Sequence, residues 1–295
     1  MKKIIFAAAF LASALFGVEL PKTHVVEPDW LAKHAKEVVI VDTQSPLFYK
    51  RGHIPGAVNI PKKYFFTGKD GDIGHLIGTP EQIKEIFDKA GVNNDSVVVF
   101  TAHVKKDKKY TDMTRAAWVA YVYGLKNVAI LDGGIENWVA TGHKLESGAV
   151  TPKKGNFTPK VFKRDAIASL VDVEAALVNK DVQFVDAREK KHYVGADKDK
   201  RLKKHGHIPG AMKVSAYMFA KKDGKVFKLV SPEKAKELFT KAGVDVNKPI
   251  YVYCNTGHLA SGTWFVGKFL VGIKNIANYD GSMFEYTRTD LPVEK

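Results

Sequence analysis

The amino-acid sequence repeats itself once, and this duplication constrains the fold more than any other feature. The two copies keep their shared segments in the same order and together fill most of the 295 residues. Two copies of domain size indicate a duplicated domain rather than a solenoid of many short repeats. Three segments carry the repeat: GHIPGA at 52–57 and 206–211, EIFDKAGV at 85–92 with ELFTKAGV at 237–244, and NVAILDG at 127–133 with NIANYDG at 275–281.

Each copy alternates strand signals with helix signals. A short apolar run ending in Asp is followed by a helix with a Ser or Thr N-cap, a Pro at its first position and a Gly after its end. A fully apolar run comes next, and such runs between helices indicate a parallel sheet covered on both faces. In that order, the signals of the first copy lie at 37–42, Thr79, Pro80, Gly91 and 97–100, and those of the second copy lie at 182–186, Ser231, Pro232, Gly243 and 250–253. In the first copy, Gln82 completes a capping box with Thr79.

Residues 142–164 interrupt this alternation. They are rich in Gly, Thr, Pro and Lys, which is typical of turns and linkers. We therefore expect a first domain at 25–145, a linker at 146–164 and a second domain at 165–293. The predicted fold class is α/β, with two tandem domains that each contain a mainly parallel sheet flanked by helices.

Residues 1–18 have the three parts of a secretory signal peptide. A basic start at Met1–Lys3 precedes a short apolar run at Ile4–Phe16, and Ala12–Ala14 fits the small-residue cleavage pattern. The two-lysine start is typical of bacteria, so we expect export to the periplasm. No later stretch approaches the roughly 18 apolar residues of a membrane helix, so we expect no membrane span in the mature chain.

The net charge of +14 is concentrated in part in two lysine-rich runs, 105–109 and 198–204. Such runs are typical of solvated loops. Export and the scarcity of aromatic residues among the lysines argue against binding to nucleic acid, whereas a positive field draws small anions toward a cleft. The sequence has no cluster with metal-ligand spacing and no phosphate-binding glycine loop, so we expect neither a metal nor another cofactor.

Cys254 is the only cysteine in the chain. It follows the apolar run 250–253 and precedes a polar loop and a helix-like stretch that extends to Phe269. Backbone N–H groups and the positive end of a helix dipole meet at such a position, and they favour the thiolate, which is the nucleophilic form. A single cysteine cannot form an intramolecular disulfide, so we expect an exposed, reactive thiol.

The first copy lacks this nucleophile. Thr101 stands opposite Cys254, and the loop that follows it is longer and rich in lysine. Because a threonine without an adjacent base is a poor nucleophile, we expect the first domain to be non-catalytic and to form one wall of a cleft over the second.

These motifs resemble those of the rhodanese family, specifically the tandem-domain sulfurtransferases of the thiosulfate and 3-mercaptopyruvate type. The resemblance covers about 25–292 and is carried by the repeated GHIPGA, the turn Asp186–Arg188, the cysteine loop and the segment Asp132–Trp138. It implies that Cys254 takes a sulfane sulfur from a small anionic donor, becomes a persulfide, and passes the sulfur to cyanide, a thiol or a protein acceptor. It also implies that the loop residues Asn255, Thr256, Gly257, His258 and Leu259 surround the sulfur with backbone N–H groups.

The substrate-binding positions depart from the family pattern. Asn255 and Thr256 replace the Arg-Lys common in thiosulfate enzymes and the Gly-Ser of mercaptopyruvate enzymes, so the donor stays open. Arg188 matches an arginine of the family, and we expect it to contact the anion or support the loop. A second substrate-binding arginine of the family falls at His192, which is only partly cationic near neutral pH. His258 is a candidate for supplying the missing charge.

Two alternative functions stay open at this point. A cysteine-dependent phosphatase shares the arrangement of strand, cysteine, loop and helix, but its pattern requires an arginine as the sixth residue after the cysteine, where this chain has Ala260. A periplasmic persulfide carrier without rapid turnover is the other alternative, because the loop lacks the charges of the family enzymes.

Overall fold

The computed structural model of this protein describes residues 18–160 and 162–295, which form two α/β domains. The predicted signal peptide at 1–18 lies outside the described residues, apart from Val18. Within the described ranges, no helix has both the length and the apolar character needed to cross a membrane.

The first domain contains seven strands and five helices in the described part of the chain. The elements are β1 (Val25–Val26), α1 (Pro28–His34), β2 (Val39–Asp42), α2 (Pro46–Arg51), β3 (Val58–Asn59), β4 (Gly68–Asp70), β5 (Ile73–Leu76), α3 (Pro80–Lys89), β6 (Val98–Thr101), α4 (Thr111–Val122), β7 (Val128–Leu131) and α5 (Gly134–Ala140). The five-stranded sheet has the order β1-β7-β6-β2-β3 with parallel pairing throughout, and β4 and β5 form a separate antiparallel hairpin.

The second domain repeats this plan. The elements are β8 (Ile167–Ala168), α6 (Leu170–Asn179), β9 (Gln183–Asp186), α7 (Lys190–Tyr193), β10 (Met212–Lys213), β11 (Ala220–Asp223), β12 (Val226–Leu229), α8 (Pro232–Lys241), β13 (Ile250–Tyr253), α9 (His258–Phe265), β14 (Ile276–Tyr279) and α10 (Ser282–Tyr286). The parallel sheet has the order β10-β9-β13-β14-β8, and β11 and β12 form the corresponding antiparallel hairpin.

The predicted fold class is confirmed, and the helix starts follow the predicted chemistry. Thr79 Oγ1 accepts a hydrogen bond from the N–H of Gln82 at 3.3 Å, and Gln82 Oε1 accepts one from the N–H of Thr79 at 3.0 Å. Ser231 caps α8 in the same way by accepting from the N–H of Lys234. These bonds satisfy N–H groups that have no partner inside the helix.

The GHIPGA segments are structural turns in both domains. In each, the histidine ring stacks on a tyrosine of the preceding helix, and its backbone bridges to a glutamate near the end of the domain. In both domains, the same contacts therefore attach the GHIPGA turn to the preceding helix and to the end of the domain. The residues involved are Tyr49, His53 and Glu146 in the first domain and Tyr193, His207 and Glu294 in the second.

The predicted linker packs along the first domain. Residues 147–160 contain neither helix nor strand. Phe157 is nevertheless fully buried, its N–H donates to Asp88 Oδ1 at 2.7 Å, and its carbonyl accepts from Lys84 Nζ at 2.7 Å. This connecting segment is therefore attached to the domain that it follows.

The two antiparallel hairpins, which the sequence analysis did not predict, connect the domains reciprocally. The hairpin β4–β5 leads into Ile77, whose N–H donates to Asp280 Oδ2 of the second domain at 2.7 Å. The hairpin β11–β12 ends at Leu229, whose N–H donates to Asp132 Oδ1 of the first domain at 2.9 Å. Asp132 and Asp280 are the aspartates of the repeated NVAILDG and NIANYDG segments. Each domain thus offers the same carboxylate to the hairpin of the other.

Helices α4 and α9 pack against each other at the centre of the domain interface. Gly262 permits this approach, because a Cβ at that position would lie only 2.7 Å from Thr111 Cγ2 and 2.9 Å from Tyr110 Oη. The hydroxyls of Thr114 and Ser261 lie 3.2 Å apart across the same contact.

Arg115 on α4 places a buried positive charge at this interface. Its side chain is 0% exposed, and its Nη1 lies 2.5 Å from Asp280 Oδ1. Its Nε donates to the carbonyl of Phe65 at 3.0 Å, and its Nη2 donates to the carbonyl of His75 at 3.2 Å. One guanidinium therefore joins the first domain, its hairpin and the second domain.

We predict that Arg115→Met lowers the free energy of unfolding by about 3–5 kcal/mol, because it leaves the buried Asp280 carboxylate without its counter-ion. Urea unfolding monitored by tryptophan fluorescence measures this loss. The matched control is Lys89→Met, which breaks the exposed pair of Lys89 with Glu85 and should leave the unfolding midpoint unchanged. Equal effects of the two variants would contradict the assigned role of Arg115.

Candidate active site

Cys254 lies directly after β13, a central strand of the second sheet, and ahead of α9. This is the carboxyl edge of a parallel sheet, where ligands bind in such folds. The expectation of an exposed thiol is wrong, because Cys254 is only 2% exposed. It lines a cleft of about 290 Å³ to which both domains contribute residues. Access to Cys254 is therefore restricted to small groups that enter this cleft.

The backbone around Cys254 is fixed by the hydroxyl of Ser282. Ser282 Oγ accepts hydrogen bonds from the N–H of Cys254 at 3.1 Å and of Gly257 at 3.0 Å, and it donates to the carbonyl of Tyr279 at 2.8 Å. The N–H of Gly257 is therefore not directed at the thiol, contrary to the expectation from the sequence. The N–H groups of Asn255 and Thr256 make no hydrogen bond within the described residues, which leaves them free for a ligand.

Gly257 is required by the shape of the loop. Its φ of +68° lies in the left-handed region, and a Cβ there would lie 2.6 Å from Asp280 Oδ1. Its carbonyl accepts from Asn278 Nδ2 at 3.0 Å. Only glycine tolerates both the backbone conformation and this close approach. The conformation of the loop therefore depends on the position of the Asp280 carboxylate at the domain interface.

Ser282 itself adopts a left-handed φ of +51°, which is uncommon for a residue with a side chain. The first copy has Gly134 at the corresponding position, with a φ of +58°. At this position, the second copy therefore retains the backbone conformation of the first copy, and its side chain adds a hydroxyl that binds the cysteine loop. The sequence signal for this residue was the change from DGG to DGS between the two repeats.

Arg188 supports the loop from behind and does not line the cleft. Of the two roles expected for it, the structure therefore favours support of the loop over contact with the anion. The residue is only 1% exposed. Its Nε and Nη2 pair with the carboxylate of Asp186, Nη2 also donates to the carbonyl of Gly206 at 2.7 Å, and Nη1 donates to Asn255 Oδ1 at 3.1 Å. Little donor capacity remains for an anion, and Arg188 instead orients Asn255.

Asn255 connects Arg188 to the side chains of the cleft through a second hydrogen bond. Its Nδ2 donates to Asp199 Oδ2 at 2.9 Å, and Asp199 in turn holds Arg201 through Nε and Nη2. The hydrogen bond from Arg201 lowers the pKa of Asp199 to about 2. A polar chain therefore extends from the buried Arg188 through Asn255 and Asp199 to Arg201, a cationic side chain at the cleft.

His192 and His258 line the cleft, and so do Thr256 and Leu259. Burial of His192 lowers its pKa despite the nearby Asp197, so His192 does not replace the charge of the family's arginine. His258 Nε2 lies 3.1 Å from Asp112 Oδ1 in the first domain. Burial lowers the pKa of His258 against the influence of that carboxylate, which makes it a neutral donor to Asp112 rather than a cation.

The positive charge comes instead from residues that the sequence analysis assigned to solvated loops or did not select. Arg201 lines the cleft, its side chain is 51% exposed, and its Nη1 makes no hydrogen bond in the described ranges. From the first domain come Lys62, Lys108 and Lys109. Asp112 and Asp199 are the carboxylates of the cleft, so the balance at neutral pH is positive and favours anions.

The lysines of the first domain are held in place. Lys108 Nζ donates to Tyr217 Oη at 2.8 Å across the interface, and Lys62 Nζ lies 3.0 Å from Asp112 Oδ1. Burial opposes ionisation of Asp112, but the hydrogen bond from His258 and the charges of Lys62 and Lys109 hold its pKa below the usual range. The first domain therefore forms a charged wall of the cleft.

The corresponding edge of the first sheet has lost this chemistry. Thr101 ends β6 where Cys254 follows β13, and Gln44 stands where the second copy has Arg188. Gln44 donates its Nε2–H to Asp42 Oδ2 at 2.7 Å, and burial raises the pKa of Asp42 to about 6. Among the described residues, no group of His, Cys, Asp and Glu side chains is arranged to hold a metal ion in either domain.

We predict that Ser282→Ala lowers the free energy of unfolding by about 2–4 kcal/mol, because the buried N–H groups of Cys254 and Gly257 lose their acceptor. Ser282→Gly is the matched control. It loses the same acceptor but tolerates the left-handed backbone, so its loss should be smaller. Urea unfolding measures both values, and wild-type stability of Ser282→Ala would contradict the role of the hydroxyl.

Comparison with known proteins agrees with this architecture. The chain is 32% identical over 284 residues to a Synechococcus elongatus protein provisionally named thiosulfate sulfurtransferase. The alignment covers 91% of this chain and 84% of that protein. It is 28% identical over 289 residues to the sulfur carrier protein TtuD of Thermus thermophilus, with 92% and 96% of the two chains covered. The crystal structure of the 3-mercaptopyruvate enzyme SseA from Escherichia coli superposes with a TM-score of 0.74 and 28% identity, and covers 88% of this chain and 98% of SseA.

The family model for the rhodanese-like domain matches the chain twice, over residues 27–141 and 169–289. These two ranges fall within the two α/β domains and include both parallel sheets, apart from the short edge strands β1 and β8. The protein therefore belongs to the rhodanese family and consists of two rhodanese-like domains in tandem.

Proposed function

We propose that this protein is a sulfurtransferase that moves a sulfane sulfur through a persulfide on Cys254. The observation that carries the proposal is the position of Cys254 at the carboxyl end of β13, on a cleft with four cationic side chains, Lys62, Lys108, Lys109 and Arg201. The relatives named for thiosulfate and 3-mercaptopyruvate sulfurtransferase activity support this assignment. Thiosulfate fits the cleft as donor because it is small and doubly anionic.

In the first half-reaction, the thiolate of Cys254 attacks the outer sulfur of thiosulfate. The sulfur–sulfur bond of thiosulfate breaks, and sulfite leaves with the bonding electron pair. Cys254 then carries a persulfide with one negative charge. The free N–H groups of Asn255 and Thr256 and the N-terminus of α9 are suited to stabilise that charge.

In the second half-reaction, cyanide or a thiolate attacks the outer sulfur of the persulfide. The new bond forms as the persulfide bond breaks, and the electron pair returns to Cys254 Sγ. The enzyme is thereby restored, and no oxidant or reductant is consumed. Splitting the transfer into two displacements at one sulfur is covalent catalysis of the ping-pong type.

The cations of the cleft have a separate task, which is to attract and orient the sulfonate end of the donor. Arg201 has a free Nη1, and its other nitrogens are fixed by Asp199. A guanidinium held in this way binds an oxyanion with little loss of side-chain freedom. Arg188 has a positioning role, since it reaches the cleft only through Asn255, which lines it.

We predict that Cys254→Ser reduces turnover with thiosulfate and cyanide by at least about a thousandfold, as is common when a nucleophile is removed. The thermal unfolding midpoint should change little because the substitution keeps nearly the same volume. Initial-rate kinetics across both substrates should give parallel reciprocal plots for the wild type. Persistence of turnover in Cys254→Ser would exclude the proposed nucleophile.

We predict that Arg201→Ala raises the KM for thiosulfate about threefold to tenfold, which corresponds to the loss of one partly exposed charged contact. The KM for cyanide at saturating thiosulfate should change less. Lys200→Ala is the matched control, since Lys200 is exposed and does not line the cleft. An unchanged thiosulfate KM in Arg201→Ala would reject the role of this arginine.

A persulfide carrier is the second candidate, and the restricted access to Cys254 together with the similarity to a sulfur carrier protein favours it. The two functions share the first half-reaction. Rapid turnover with cyanide and thiosulfate identifies an enzyme of small anions. Persulfide formation without turnover, followed by transfer to a protein thiol, identifies a carrier.

We also propose that the protein is exported to the bacterial periplasm. The support is the sequence of residues 1–18 alone, with its basic start, apolar run and small-residue cleavage pattern. Fractionation of cells that express the full chain, with N-terminal sequencing of the product, tests the proposal. A cytoplasmic product that retains Met1–Lys3 would reject it.

A further inference from the structure

Lys108 and Tyr217 form a hydrogen-bonded pair on the cysteine cleft, with one member from each domain. Lys108 Nζ donates to Tyr217 Oη at 2.8 Å, and both residues line the cleft beside Cys254. A second bond fixes the same two segments, because Tyr110 Oη donates to the carbonyl of Ala216 at 2.9 Å. The pair is therefore held in place by the docking of the two domains.

Lys108 differs from the other three cations of the cleft in the kind of partner that its side chain has. Lys62 and Lys109 both pair with the carboxylate of Asp112, and Arg201 pairs with that of a neighbouring aspartate. Within the described ranges, the ammonium of Lys108 makes no ion pair, and its bonded partner is a neutral phenol hydroxyl. Its positive charge is therefore not compensated by a directly bonded carboxylate and is available to an anion in the cleft.

Both members of the pair keep hydrogen-bond donors that the protein does not use. An ammonium group has three N–H donors, of which Lys108 gives one to Tyr217. Tyr217 Oη accepts that bond, and its own O–H finds no acceptor in the part of the chain that the structure describes. The hydrogen bond to Tyr217 is the main cause that raises the pKa of Lys108, so the ammonium is charged at neutral pH. A positive charge beside a hydroxyl donor is an arrangement that binds an oxyanion.

Tyr217 is confined to the copy that contains the cysteine. The register of the two GHIPGA segments places Lys63 at the equivalent position of the first copy. Lys63 does not line the cysteine cleft. The hydroxyl of Tyr217 is therefore a feature of the catalytic copy rather than of the repeated fold.

We infer that Tyr217, together with Lys108, binds the oxyanion group of the sulfur donor and is a specificity-determining residue for donors that carry such a group. This inference rests on the proposed function and deepens it. With thiosulfate, sulfonate oxygens accept from the Tyr217 hydroxyl and the Lys108 ammonium, and the third oxygen remains for Arg201. The same contacts hold the sulfite when the sulfur–sulfur bond breaks. An inorganic polysulfide has no oxygen to accept these bonds, so the pair favours thiosulfate over polysulfide as the donor.

The kinetic test follows the loading of Cys254 with sulfur by mass spectrometry, with thiosulfate or inorganic tetrasulfide as the donor and no acceptor present. Tyr217→Phe removes the hydroxyl and keeps the ring. It should raise the half-saturating concentration of thiosulfate about fivefold, as expected for one lost hydrogen bond, and leave that of tetrasulfide unchanged. Tyr64→Phe is the matched control, because Tyr64 is exposed and outside the cleft. An unchanged value for thiosulfate, or an equal rise for both donors, overturns the inference.

The lysine of the pair is tested in the same assay. Lys108→Met should raise the half-saturating concentration of thiosulfate about tenfold, because a charged donor contributes more than a neutral one. Lys106→Met is the matched control, since Lys106 is exposed, lies in the same lysine-rich run and does not line the cleft. Equal effects of the two lysine variants would show a general loss of charge and overturn the assigned pair.

A binding test is independent of sulfur transfer. Sulfate has the shape and charge of thiosulfate but no transferable sulfur, and it is titrated by calorimetry into Cys254→Ser at constant ionic strength. Binding should weaken about fivefold in Cys254→Ser combined with Tyr217→Phe. Absence of binding, or equal binding in the two proteins, overturns the inference. Turnover of the wild type with thiosulfate and cyanide alongside either result would leave the sulfurtransferase proposal standing and remove only the role of Tyr217.

Discussion

The carboxylate of Asp280 is the point on which domain docking and the shape of the cysteine loop both depend. It accepts the N–H of Ile77 from the hairpin of the first domain and pairs with the buried Arg115 on α4. It also lies where a side chain at Gly257 would have to fit. A change in how the two domains meet would therefore alter the loop that surrounds Cys254. Asp132 makes the equivalent contact in the opposite direction, but no cysteine loop lies beside it.

Duplication followed by divergence explains the division of tasks between the domains. Both copies keep the parallel sheet, the stacked GHIPGA turn and the aspartate that accepts the hairpin of the other domain. The second copy has Cys254, Arg188 and the hydroxyl of Ser282, whereas the first copy has Thr101, Gln44 and Gly134 at those positions. The first copy contributes instead a charged wall of lysines, so the electrostatic character of the site is a property of both domains.

Local sequence signals were sufficient for much of the fold. The apolar strands, the capping residues Thr79 and Ser231, and the repeat itself depend on neighbours in the chain, and the two parallel sheets follow from them. The hairpins of residues 68–76 and 220–229 were missed because one strand of each, GKD at 68–70 and AKKD at 220–223, is largely polar. Their stability comes from contacts with the other domain, which a local pattern does not contain.

The candidate site was predictable only in its centre. The end of an apolar strand ahead of a helix identified the position of Cys254, but the burial of the residue depends on a domain that lies far away in sequence. Arg201 and Lys108 lie in lysine-rich runs, which are typical of solvated loops, so the sequence did not single them out. They can bind an anion only because the fold brings both runs to the same cleft. From the sequence, His192 is expected to be partly cationic and His258 is a candidate for the missing charge, whereas burial favours the neutral forms of both.

The most direct test of the central claim is mass spectrometry of the wild-type protein after brief exposure to thiosulfate and removal of excess donor. We expect a gain equal to the mass of one sulfur atom, located by peptide mapping on Cys254, and loss of that gain on addition of cyanide with formation of thiocyanate. An unchanged mass, or an added sulfur that cyanide does not remove, would exclude a transferable persulfide on Cys254.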